Sequence, residues 1–234
     1  MINYFVPEWV SIAFLLAIPL PFILILNFIK TESKKLASPQ IFNISVLFFI
    51  FYVLYIYVAS EFGWFSQIIF PPKVLLITTV PFAFLLFMVV AKTKMFQTIL
   101  ENSKLENLVK LHTFRVIGVF FIILAFYDSL PKTFAIIAGC GDLIAAITSI
   151  FVAKAIQNKN PNAKKITLIW NVFGLIDILF TAIAANVLTK ISIDTGSMGV
   201  DTLASWPFCI IPAFAPPIII FLHYTIFKKL KNFS

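Results

Sequence analysis

Arg115, Asp142 and Asp177 are the residues with chemistry to do, because each falls inside a long apolar stretch where charge is expensive. An ionised side chain at the centre of a membrane-spanning helix costs roughly 2.5–3.5 kcal/mol on insertion scales, so such residues turn inward and pair. Two carboxyls brought close together share a proton or hold a cation. The other reading is that each Asp bonds Thr, Asn or backbone groups and only fixes helix packing. Arg115 is the single arginine among 18 Lys and Arg residues. A guanidinium where the chain otherwise uses lysine suits forked pairing with a carboxylate or an anionic ligand. Arg115 also lies only five residues past Lys110, about 7.5 Å into its span, from where a long side chain can snorkel to the interface. Both readings stay open at this stage.

Asn171 and His223 complete the candidate set for ligand or proton binding. Asn171 lies one turn from Gly174 on the face that carries Asp177, and His223 shares a face with Pro212, Pro216 and Ile219 or Ile220. His112 is the other histidine, at a depth comparable to that of His223. Two histidines on different helices can ligate a haem iron from opposite sides, and histidines near an interface also serve as polar tips reaching headgroups. No metal-site spacing, phosphate-cradling glycine loop or nucleophile elbow occurs. Cys140 and Cys209 fit neither a disulfide framework nor a paired metal site and read as packing residues.

The elements that must hold these residues are helices. Hydrophobic residues make up 61% of the 234 and charged residues 12%, and the mean hydropathy is +1.00, which excludes a soluble globular domain. The expected fold class is an all-α membrane protein, a single polytopic domain over 1–234. It has seven spans at about 9–29, 41–60, 72–91, 111–128, 131–153, 166–188 and 205–227, each near the ~20 residues needed to cross ~30 Å of hydrocarbon. The stretches do not alternate as barrel strands would. Segment 92–110 reads as an amphipathic helix between spans, with Met95, Ile99, Leu105, Leu108 and Val109 set among charges.

Depth and face favour a shared site. Asp142 lies about 16 Å from one end of its span and Asp177 about 18 Å from the opposite end of the next. Asp142 shares a stripe with Ala135, Ala138, Gly139, Ala145, Ala146, Ser149 and Ala153, the small-residue pattern that lets membrane helices pack closely. Gly174, Asp177, Thr181 and Ala184 or Ala185 form a weaker stripe. Pro212, Pro216 and Pro217 release backbone carbonyls at Phe208, Pro212 and Ala213, and Pro19, Pro21 and Pro81 interrupt two other spans. Broken helices in both halves of a membrane protein point to a midplane binding site.

Lysine placement sets the orientation. Loops 30–40, 92–110 and 154–165 and the tail hold most of the lysines, while the opposite side holds Lys73, Lys132 and Lys190 with several acids. The N-terminus is expected outside and the C-terminus in the cytoplasm of a cell (inner) membrane, with Trp9, Trp64 and Trp206 at the outer boundary. The net charge of +8 then faces anionic lipids rather than nucleic acid. Membrane lipids and a small solute or ion are the expected partners.

The function expected is secondary transport of that solute or ion, coupled to a proton on one Asp, through a cavity open to the cytoplasm. Asp142 and Asp177 would form its floor, with Arg115, Asn171 and His223 nearer the mouth. The alternatives are a haem-type redox or sensor protein and an intramembrane enzyme acting on a lipid or isoprenoid. No cofactor is named by the sequence itself.

Overall fold

The computed structural model describes residues 6–36, 38–66 and 69–233. Among these, every regular element is helical. Seven helices are long and apolar enough to cross a membrane: α1 (Glu8–Lys35), α2 (Gln40–Glu61), α3 (Leu75–Lys92), α4 (Leu105–Phe126), α5 (Lys132–Gln157), α6 (Ala163–Thr195) and α7 (Ile210–Lys231).

The helix ends show where local chemistry overrides hydropathy. In α1 the ladder is interrupted at Ile18, because Pro19 brings no N–H. The amphipathic segment expected over 92–110 is divided. Lys94–Asn102 forms a short helix, Ser103 and Lys104 are extended, and the rest is already the first turns of α4. Leu105, Leu108 and Val109 are buried against Val152, Ala153 and Ile156 of α5, which makes this stretch core rather than surface. The 33 residues of α6 rise about 49 Å, more than the hydrocarbon thickness, so its last turns project from the bundle. There Lys190 and Asp194 pair at 2.5 Å, with both side chains about half exposed.

Helices α4 to α7 form the unit that holds the polar residues. The small-residue stripe of α5 is its buried face: Ala135, Ala138, Gly139, Ala145, Ala146, Ser149 and Ala153 are all inside. Small side chains let α4 and α6 approach α5 from either side. Gly139 shows how closely, since a Cβ there would stand 3.0 Å from the carbonyl oxygen of Gly118 on α4.

Helices α1, α2 and α3 join this unit through an aromatic seam on α7. Phe214 meets Phe22 of α1 at 4.6 Å between ring centroids, Phe49 of α2 at 5.9 Å and Phe82 of α3 at 6.0 Å. Such pairs contribute about 0.5–1.5 kcal/mol each beyond burial.

Hydroxyls supply the other half of that junction. Pro216 and Pro217 lie inside α7 and cannot donate to the carbonyls four residues earlier, those of Pro212 and Ala213. Thr79 of α3 donates to the Pro212 carbonyl at 2.6 Å, and Tyr52 of α2 donates to the Ala213 carbonyl at 2.8 Å. The third released carbonyl, that of Phe208, takes the Ile211 N–H at 2.9 Å. The proline-released groups therefore tie helices together rather than line a cavity.

Candidate functional site

Local helix geometry creates the central row of the site. Residues His112–Gly118 of α4 form a 3-10 helix, in which three residues make a turn and side chains at i and i+3 eclipse. His112, Arg115 and Gly118 consequently stand in one line facing α5, α6 and α7, and all three are buried. In an α-helix the same residues would fan out by 300° rather than 360° per three positions.

Arg115 is the hub. Its Nε donates to Asp142 Oδ1 of α5 at 2.7 Å, and its Nη2 donates to Asp177 Oδ2 of α6. Nη1 donates to the Gly174 carbonyl at 3.2 Å and meets His223 Nε2 of α7 at 3.4 Å. The side chain has 0% exposure, which rules out the snorkelling alternative. The expected two-pronged grip on one carboxylate is also corrected: the guanidinium bridges two carboxylates on two helices, Asp142 through Nε and Asp177 through Nη2.

His223 and Asn171 form the next layer. A guanidinium N–H can only donate, so His223 Nε2 is an acceptor and Nδ1 carries the proton. That Nδ1–H meets Asn171 Oδ1 at 2.8 Å, and Asn171 Nδ2 returns a bond to the His223 backbone carbonyl at 3.2 Å. The reciprocal pair fixes both the ring and the amide. The structure thus gathers all five sequence candidates, Arg115, Asp142, Asn171, Asp177 and His223, into one network drawn from four helices.

Two features are not legible in the sequence: the room that three glycines make, of which only Gly174 stands in a stripe named above, and the part of Trp170. Gly118, Gly141 and Gly174 make room for the network. A Cβ on Gly118 would collide with the Asp142 side chain, and one on Gly141 with the Asp177 carboxylate. On Gly174 it would stand 2.7 Å from His223 Cε1 and 3.2 Å from Arg115 Nη1. Their signal was positional: the chain has only 7 glycines, and these lie three residues past Arg115, one before Asp142 and three before Asp177. The second feature is Trp170, whose Nε1 donates to Thr148 Oγ1 at 3.0 Å and whose ring meets His112 edge-on, 5.1 Å between centroids.

The residues expected at the mouth of an open cavity are inside instead. Arg115, Asn171 and His223 are all buried, and the His112 and His223 rings lie 4.3 Å apart between centroids, tilted by 39°, with Trp170 closing over them. A cavity of about 40 Å³ reaches Arg115 and Asp142 from between α1, α4 and α7, lined otherwise by apolar residues such as Ile18, Pro21 and Phe214. Room for a few waters, at ≳10–15 Å³ each, is far below the ~300–1,000 Å³ of an organic-ligand pocket.

A haem does not fit these histidines. Their ring centroids lie only 4.3 Å apart with the planes tilted by 39°, which leaves no gap for a macrocycle, and both His223 nitrogens are already engaged. Among the described residues, no group of three or more His, Cys, Asp or Glu is arranged to hold a metal ion.

No curated protein and no solved structure matches the chain. Residues 71–231 match a family model described as "Domain of unknown function (DUF8737)". The matched segment runs from before α3 to the end of α7 and contains every residue of the polar network. As it spans well over half of the sequence, the chain belongs to the DUF8737 family.

Proposed function

We propose that this protein is a multi-pass inner-membrane transporter of a small solute or ion, coupled to protons through Asp142 and Asp177. The observation that carries this reading is the charge count of the buried network. One guanidinium faces two carboxylates on α5 and α6, and neither His223 nitrogen adds charge while Nε2 accepts from Arg115. With both carboxyls ionised the network holds a net charge of −1 inside an apolar bundle, where an uncompensated charge is strongly disfavoured. One bound proton, or one cation in its place, restores neutrality, which is what a proton-coupled carrier needs at its midplane.

The enclosed geometry supports transport over intramembrane hydrolysis. An enzyme acting on a lipid would open a carboxyl or imidazole to a lipid-accessible groove, whereas His112, Arg115, Asn171 and His223 are buried. The cavity of about 40 Å³ at Arg115 and Asp142 has room for water or a small ion. The lysine asymmetry supports an N-terminus outside and a C-terminus in the cytoplasm.

The test is proton movement in proteoliposomes loaded with a pH-sensitive dye. Sodium, potassium, and panels of small anions and amines are added outside in turn. Wild type is expected to give a solute-induced pH change for at least one class, and Asp142→Asn and Asp177→Asn to abolish it. Identical traces from all three proteins across the panel would remove the proposal.

A further inference from the structure

We infer that His112 is a second proton-binding site of the network, so that the single exchangeable proton is carried either by one of the two carboxyls or by the His112 imidazole. The inference rests on the proton-coupled reading above and names where the proton goes when it leaves the carboxyls.

The two histidines are in contact but not equivalent. His223 has both ring nitrogens engaged, Nδ1 with Asn171 and Nε2 with Arg115. His112 has 0% exposure, and among the described residues neither its Nδ1 nor its Nε2 has a hydrogen-bond partner. Buried polar atoms in native structures are paired in the great majority of cases, so an imidazole with two free nitrogens marks a position that engages something beyond its resident neighbours. His112 is therefore the one imidazole of the pair with a lone pair to offer. It stands on the eclipsed row of α4, one turn from Arg115, towards the lysine-rich end of the bundle.

The charges around it decide whether an imidazolium can be held there. His112 faces Arg115 on its own helix and His223 on α7. Beyond the guanidinium stand Asp142 on α5 and Asp177 on α6, while Glu32 of α1 is taken by Lys35. Arg115 repels a second cation, and burial opposes it. Two carboxylates against one guanidinium leave the one negative charge that a protonated His112 would balance.

The transfer conserves charge. A carboxyl O–H bond breaks and an imidazole N–H bond forms, leaving carboxylate and imidazolium. The network, which held one guanidinium, one carboxylate, one carboxylic acid and a neutral ring, is neutral before and after. The His112 ring contacts are with His223 and Trp170 and not with either carboxyl, so the proton passes through an intervening carrier rather than by direct contact.

The experiment exploits the two-histidine count. Protein labelled with ¹⁵N-histidine and ¹³C-aspartate is reconstituted in lipid and followed by solid-state NMR against pH, with His112→Gln assigning the two ring signals. The expected result is that His223 keeps its Nδ1–H tautomer, while His112 imidazolium and protonated Asp signals rise together as pH falls, with one shared midpoint. In Asp177→Asn, where the remaining carboxylate alone neutralises Arg115, the His112 midpoint should fall by about one pH unit or more. Asp142→Asn should do the same and serves if the first variant misfolds.

A His112 that stays neutral while the carboxyl signal rises would overturn the inference and leave the proton-coupled reading standing. So would a His112 titration unchanged in a folded Asn variant. A carboxyl signal that never appears would remove that reading and this inference with it.

Discussion

Arg115 serves two carboxylates at once, and the planar guanidinium is what makes that possible. Its Nε and Nη2 donate separately to Asp142 and Asp177 while Nη1 reaches the Gly174 carbonyl and His223. An ammonium has no such fork. Arg115→Ala should destabilise the protein by about 3–5 kcal/mol, the range for removing one partner of a buried ion pair. Arg115→Lys should recover less than half of that loss and none of the transport, as measured by unfolding in mild detergent and by the dye-loaded proteoliposomes. A fully active lysine variant would mean that the fork is not used. At this scale the network members were legible from charge inside apolar stretches. The pairing pattern was not, since it depends on the 3-10 winding of His112–Gly118, and nothing in HTFRVIG itself departs from ordinary helix sequence. Gly141 was passed over because it sits off the Asp142 stripe, on the face turned to Asp177.

Helix α7 is the element that couples the two halves of the bundle. Its double proline releases two carbonyls, and hydroxyls from α2 and α3 take them. The consequence can be read in a double-mutant cycle. Tyr52→Phe alone leaves the Ala213 carbonyl without that donor and should cost about 0.6–1.7 kcal/mol, the span from mean to maximum for hydrogen bonds inside membrane proteins. In a Pro217→Ala background the new alanine N–H can bond that carbonyl within the helix, so Tyr52→Phe should become nearly neutral. Equal costs in both backgrounds would show that the tyrosine acts through packing alone. The sequence showed where the breaks fall, because proline chemistry is local. That Tyr52 and Thr79 answer them is a matter of tertiary contact, with the partners more than 130 residues away in the chain. The helix ends followed the same division. Hydropathy locates seven candidate spans but not the start of α4, because a buried amphipathic turn and a surface one share the same pattern.

For the whole molecule, the proposed orientation draws on the different chemistry of its two ends. One end is tied by Lys229, whose Nζ donates to the carbonyls of Leu100 and Glu101 at 2.9 and 2.6 Å. The other is tied by Thr202, which donates to the Ser129 carbonyl at 2.6 Å, and by the Trp9–Tyr127 and Tyr57–Trp206 ring contacts. Lysines crowd the first end and tryptophans the second, a pattern that supports the proposed cytoplasmic and outer faces. A reporter fused to the C-terminus should be active in the cytoplasm, and one inserted between Ser197 and Val200, beyond the end of α6, should be active outside. The reverse at both positions would overturn the orientation proposed here.

The central claim, that the network is neutralised by one proton shared with Asp142 and Asp177, is open to infrared spectroscopy of the protein in lipid at neutral pH. Wild type should show the C=O stretch of a protonated, water-poor carboxyl. Both Asp142→Asn and Asp177→Asn should lose it, because a single remaining carboxylate already balances Arg115. A wild-type spectrum without that band, or a band that persists unchanged in both variants, would contradict the account.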